Sequence, residues 1–265
     1  MKIPFFQVDA FTWLPFKGNP AAVCVLERSI SAELMQQIAA ENNLSETAFV
    51  LFEDDFIFIR WFTPTVEVPL CGHGTLSAAH ILWEQGYVPV ETPLRFQTRE
   101  SGELLIRRDV GWIVMNFPAD IPREVEIPDS IPDILAVIPR RAWRTRFNGL
   151  LIELDSAETV RRLAPDFGKM MATGNGEMIV TASGDSEGID FVSRFFAPGF
   201  GIDEDPVTGS AHCSLGPFWA ARLDQAEVVG EQVSRRGGIV RVRPLGERVE
   251  ILGQAVTVIG GNMYL

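Results

Sequence analysis

The chain has little of what several common functions require. Only 23 Lys and Arg stand against 35 Asp and Glu, for a formal net charge of −12 over 265 residues. Nucleic acids and anionic membrane surfaces are bound through clustered basic side chains, so neither is an expected partner. Cysteine is scarce and scattered: Cys24, Cys71 and Cys213 give neither a disulfide framework nor a metal knuckle. The three histidines form no His-x3-His pair and the cysteines no Cys-x2-Cys pair, so no metal is expected. No run of about 18 apolar residues exists to span a membrane. The opening Met1-Lys2-Ile3-Pro4-Phe5 soon turns polar. That predicts no signal peptide and a reducing cytoplasm as the address. Tyrosine is nearly missing, with 2 against 18 phenylalanines that could serve core or interface.

What is present is an ordinary globular composition, 46% apolar and 22% charged, at a length that suggests two domains. An acidic chain that binds an anion must do so locally, through backbone dipoles. Residues 201–216 have that character. Asp203, Glu204 and Asp205 read as an acidic loop leading into Pro206, and the Thr208-Gly209-Ser210 turn opens a helix of small and apolar residues. The first turn of a helix leaves N–H groups unpaired and carries partial positive charge, so it suits an anion; a capped helix start with no ligand is the plainer reading.

A second copy strengthens the case for a ligand. Arg60-Trp61-Phe62-Thr63-Pro64 followed by Cys71-Gly72-His73-Gly74-Thr75 matches Arg194-Phe195-Phe196-Ala197-Pro198 followed by the stretch above. The arginines recur 134 residues apart, and Gly74 and Gly209 135 apart. Ser31-Ala32-Glu33 ahead of Glu46 likewise matches Ser156-Ala157-Glu158 ahead of Glu177. An internal repeat of this length predicts two similar domains, each presenting a helix start. Two such ends facing one cleft would hold a small anion.

In order, Ile3 to Phe11 reads as a strand, 15–20 as a loop and 21–26 as a buried strand. Asn19 there is either a ligand contact or a turn residue. Ser31 to Asn42 reads as a helix capped by Ser31. Glu46 enters an apolar strand, either as a solvated rim residue or as a partly buried acid suited to proton transfer near neutrality. Asp54 and Asp55 mark a hairpin into the 56–62 strand. His73, held between glycines at a helix start, is a candidate functional group, whereas His80 reads as structural. Strands are expected at 93–99 and 103–117. The prolines between Asn116 and Arg141 read as the crossing between domains. The second half repeats the first, with strands at 148–154, 177–182 and 189–196 and a helix near 156–163. Further strands are expected at 227–230, 238–243, 247–252 and 255–259.

Asp9-Ala10-Phe11-Thr12 with Gly18-Asn19-Pro20, then Ser45-Glu46-Thr47-Ala48-Phe49, then Phe62-Thr63-Pro64 with Cys71-Gly72-His73-Gly74-Thr75, and finally Phe196-Ala197-Pro198 with Glu204 to Ala211, follow one another along most of the chain. Together these stretches resemble the signatures of the phenazine-biosynthesis-like (PhzF) isomerases. The resemblance implies an α+β, diaminopimelate-epimerase-like fold. It has two pseudo-symmetric domains, each a rolled, mostly antiparallel sheet around a central helix, with the active site between them. The expected domains are 1–118 and 119–265, with a last strand near 256–265 as a candidate to return to the first.

By the same resemblance, Glu46 is the proton-shuttling acid–base, and His73 and Asp205 are its polar catalytic partners. Gly72, Gly74, Thr208, Gly209 and Ser210 line the pocket and hold the substrate carboxylate. It further implies no cofactor, no metal, a small carboxylate substrate and a homodimer. Two alternatives stand beside isomerisation: a non-catalytic anion-binding or regulatory protein with the same cleft, and a racemase or epimerase. Related racemases use two facing cysteines, but here Ser77 takes the first place and Pro206 lies near the second. Cys71 and Cys213 are not equivalent by the repeat, which weighs against the racemase.

Overall fold

The computed structural model describes residues 1–53, 56–146 and 149–265. The chain divides into two compact units, Met1–Asn116 with Leu252–Leu265, and Phe117–Ile251. The first begins with β1 (Lys2–Ala10), β2 (Asn19–Leu26), α1 (Ala32–Asn42), β3 (Glu46–Phe52) and β4 (Ile57–Phe62). It continues through β5 (Glu67–Val68), α2 (Gly72–Glu84), β6 (Leu94–Gln97), β7 (Glu103–Asp109) and β8 (Trp112–Pro118), which runs to the boundary. The second holds β9 (Arg123–Val125), α3 (Ile131–Leu135), β10 (Arg141–Arg144), β11 (Leu150–Glu153), α4 (Ala157–Arg162) and α5 (Phe167–Ala172). After these come β12 (Met178–Ser183), β13 (Phe191–Ala197), β14 (Ile202–Asp205), α6 (Gly209–Leu223), β15 (Val228–Gln232), β16 (Gly238–Leu245) and β17 (Arg248–Gly253). The last strand, β18 (Ala255–Tyr264), pairs antiparallel with β1.

The sequence repeat is a repeat of strand pairing. In the first unit β2 runs parallel to β3, β3 antiparallel to β4, β4 antiparallel to β5 and parallel to β6, and β6 antiparallel to β7. In the second the same order is kept by β11, β12, β13, β14, β15 and β16. The repeated Arg-aromatic-Phe has a structural explanation. Phe62 lies opposite Glu67 and Phe196 opposite Glu204. Arg60 makes a two-pronged pair with Glu67 at 2.7 and 2.8 Å, and Arg194 one with Glu204 at 2.7 and 2.9 Å. Each guanidinium also sits over the phenylalanine two residues on, at 5.1 and 4.8 Å from the ring centre. Fork-to-fork geometry and cation–π contact both favour arginine over lysine at these positions.

Local sequence explains the outer helices. Ser31 accepts from the Leu34 N–H and Ser156 from the Thr159 N–H, as N-caps do. Met35, Ile38 and Ala39 of α1 bury against Cys24, Leu26, Phe49 and Phe62. In the second unit Ile131, Ile134, Val160 and Met170 of the short helices pack with Ile152 and Val180. The two long helices that open on glycine differ. Apart from Gly72, His80 and Glu84, every residue of α2 is buried, as expected of a helix enclosed by sheet, and it packs on β1, β2, β3 and β18. α6 packs on β15 and β16, where Gly216 leaves no room for a side chain: a Cβ there would lie 2.1 Å from Val242 Cγ1. Pro217 inside α6 supplies no N–H to the Cys213 carbonyl, and the Asp120 N–H takes its place at 3.0 Å.

The α+β class is as expected, with four local differences. The 103–117 strand is two strands, because Val110 and Gly111 take left-handed φ values of 44° and 83° and turn the chain between β7 and β8. The acidic stretch 201–205 is not a loop but contains β14, paired with β13. The proline-rich crossing contains α3, since Pro132 falls in the first helical turn, where a missing N–H costs no intrahelical bond. The 15–20 loop ends at Gly18, and Asn19 and Pro20 open β2. The expected turn at Asp54 and Asp55, and the start of the 148–154 strand, lie outside the described residues. Among the described residues, no helix is long and apolar enough to cross a membrane.

Candidate functional site

Glu46 is the first residue of β3, opposite Ala21 on the parallel neighbour β2. His73 is the second residue of α2. The fold brings them together: His73 Nε2 lies 3.0 Å from Glu46 Oε2, with side chains 9% and 19% exposed. The contact is an ion pair by distance rather than an aligned hydrogen bond, and Oε2 has no hydrogen-bond partner though it is shut off from solvent. Its one close polar neighbour among the described residues is therefore the imidazole. Oε2 stands ready for a proton or a ligand.

Cys71 and Asn19 complete the group. Cys71 caps α2, its Sγ accepting from the Gly74 N–H at 3.3 Å, and it lies 3.6 Å from His73 Nδ1. The Asn19 amide nitrogen is 3.4 Å from the same Nδ1, and its oxygen accepts from Ser45 Oγ at 3.4 Å. Burial alone would push the His73 ring down, but the negative charge available at Cys71 and Glu46 outweighs it and holds the ring well above its ordinary value. The Cys71 thiol is pushed up by burial first and by the Glu46 carboxylate second, with the facing His73 ring drawing it back down. Gly72 and Gly74 form the first turn of α2, and Gly74 is glycine for a packing reason: a Cβ would come 2.9 Å from Trp61 Cδ1. His80, expected to be structural, contacts Thr257 Oγ1 at 3.1 Å and Glu84 at 3.3 Å.

The remaining expected residues gather in the second unit. Asp205 ends β14 and Thr208 caps α6. The Thr208 hydroxyl donates to Asp205 Oδ2 at 2.5 Å instead of accepting from the helix backbone. Gln232, fully buried on β15, ties this loop down: its Oε1 accepts from the Thr208 N–H at 2.9 Å and its Nε2 donates to the Asp205 carbonyl at 2.9 Å. The ring of His212, one turn into α6, meets the Thr208 carbonyl at 2.8 Å through Nδ1, and burial pushes its pKa down to about 4. Gly209 is buried and Ser210 exposed at the helix start. Ser77 is fully buried within α2, and burial raises the Cys213 thiol to about 12. Neither position offers the thiolate that a two-cysteine racemase needs.

Sequence reasoning missed Cys71 as a neighbour of Glu46 and His73, although its place just before a glycine turn was a usable signal. It also missed Gln232, which lies 24 residues from Thr208 and carries no local mark. For metal binding, Glu46, Cys71 and His73 are the one group of three suitable side chains gathered among the described residues.

The chain matches the sequence profile of the phenazine biosynthesis-like proteins (PhzC-PhzF) over residues 8–261. It is 49% identical to a Pseudomonas aeruginosa protein named an uncharacterized isomerase, with all of both chains covered. It superposes with a TM-score of 0.95 on the crystal structure of an Enterococcus faecalis protein of the PhzF family, at 42% identity over all of both chains. At the level of fold alone it also resembles a hydroxyproline epimerase of Agrobacterium vitis, with a TM-score of 0.63, 10% identity, and 98% and 92% of the two chains covered. The chain has the diaminopimelate-epimerase-like fold. With a profile match over nearly its whole length and relatives of this identity, the chain belongs to the phenazine biosynthesis-like (PhzF) family.

Proposed function

We propose that this protein is an isomerase that moves a proton between carbon atoms of a small carboxylate substrate, without metal or coenzyme. Glu46 takes the proton from one carbon and returns it at another. His73 and Asp205 are its polar partners. Gly72, Gly74, Thr208, Gly209 and Ser210 contact the substrate, whose carboxylate is held by helix-start N–H groups. The isomerase name carried by relatives at this identity supports the reaction class. The observation that carries the residue assignment is Glu46 itself: a carboxylate with one oxygen buried and 3.0 Å from an imidazole.

The chemistry follows from that arrangement. Removing a proton from carbon leaves enolate-like charge on the substrate, and donors already aimed at it lower the barrier without reorganising. A positioned acid–base contributes about 10²–10⁴-fold. His73, held charged by its neighbours, offers a proton where negative charge develops and keeps Glu46 oriented. A cytoplasmic homodimer belongs to the same reading.

The test is incubation in D2O with a panel of cyclic and linear unsaturated carboxylates and amino acids, followed by mass spectrometry. Enzyme-dependent gain of one deuterium at carbon in a panel member is expected. Binding of panel members without exchange in any of them would contradict the proposal and favour a non-catalytic binding protein.

A further inference from the structure

We propose that Glu46, Cys71 and His73 also form a binding site for a thiophilic divalent cation, Zn2+ in the first place, and that its occupancy inhibits the acid–base centre. Only the inhibitory consequence rests on the isomerase reading; the binding rests on geometry. One ligand atom from each residue lies within 4.8 Å of the other two. His73 Nε2 is 3.0 Å from Glu46 Oε2 and 4.0 Å from Cys71 Sγ. Ligands around a tetrahedral zinc, with bonds of about 2.0–2.3 Å, stand roughly 3.3–3.8 Å apart. These two spacings fall on either side of that range, and side-chain rotation would bring the three donors to it.

The donor set selects the ion. Thiolate, imidazole and carboxylate together suit zinc, whereas magnesium and calcium take oxygen ligands. Three protein ligands leave a fourth position for water. Cys71 and His73 are only 6% and 7% exposed, and Glu46 Oε2 is the buried oxygen without a hydrogen bond, which a cation would satisfy. The Gly74 N–H already points at Cys71 Sγ, so a bound thiolate keeps a backbone donor that orients it. On coordination the Cys71 thiol and the charged His73 ring each give a proton to solvent, and the freed sulfur and Nε2 lone pairs go to the metal. The atoms then committed to the ion, Glu46 Oε2 and His73 Nε2, are those that proton transfer uses.

Co2+ is the probe, added to reduced, chelator-treated, full-length protein. One equivalent is expected to produce a near-ultraviolet thiolate-to-cobalt charge-transfer band, bleached by Zn2+. Cys71→Ser should abolish the band while serine preserves the helix cap, as circular dichroism would verify. Glu46→Gln should weaken Co2+ binding at least about tenfold. His80→Gln, at a separate pair with Glu84, should leave the band unchanged. No band in the wild-type protein, or a band that survives Cys71→Ser, overturns the site. Deuterium exchange by the metal-free protein is read in parallel. Exchange without a band defeats the metal site alone; a band without exchange on any panel member upholds it and defeats the isomerase reading.

Discussion

His73 and His212 are both buried near the start of a long helix, yet their surroundings push them in opposite directions. His73 faces a carboxylate and a thiol, and the charge they offer holds its ring well above the ordinary imidazole value against the effect of burial. Glu46→Gln removes that carboxylate, so in chelator-treated protein the His73 resonance should titrate at lower pH than in the wild type, followed by NMR. An unchanged midpoint would mean that Glu46 does not hold the charge. His212 meets only a backbone carbonyl and packs against Phe191, and burial lowers it to about 4. A group lowered on folding binds its proton more readily in the unfolded chain, so stability is full above the unfolded value of 6.5 and is lost as pH falls toward 4. The shift is worth on the order of 3 kcal/mol. The fall in unfolding free energy between pH 7.5 and 5 should therefore be smaller in His212→Gln than in the wild type; equal falls would remove His212 as a cause.

At the scale of elements, legibility followed exposure. α1 and α4 were readable because each is half-exposed, with a serine cap and apolar positions at helical spacing. α2 and α6 are enclosed, so no amphipathic stripe marks them, and only the glycines at their starts gave them away. The β7–β8 turn was hidden because its first residue is Val110, an apolar side chain 95% exposed in a left-handed turn. The close approach of α6 to β16 was also unreadable, since it depends on residues that meet only in the fold. Gly216→Ala would force the Val242 side chain to move and should cost about 1–3 kcal/mol of stability. In Gly216→Ala/Val242→Ala that cost should be partly recovered relative to the sum of the single changes, a coupling a double-mutant cycle reads directly. Strict additivity would show that the two residues do not crowd one another.

For the molecule as a whole, the duplicated pairing scheme was the most legible feature, because the Arg-aromatic-Phe strands and glycine-marked helices recur at nearly constant offset. The Glu46–His73 pair was legible as candidates but not as a contact. Twenty-seven positions separate the two residues in sequence, and the start of a strand meets the start of a helix only through the fold. Cys71 and Gln232 were not assigned for the same reason: what matters about each is a neighbour that local sequence does not specify. The account stands on Glu46 as the group that moves hydrogen between carbons. Its most direct test is solvent-deuterium incorporation by Glu46→Gln, with substrate affinity measured on the same protein. Exchange should fall by about 10²–10⁴-fold while binding changes little; exchange at the wild-type rate would contradict the mechanism.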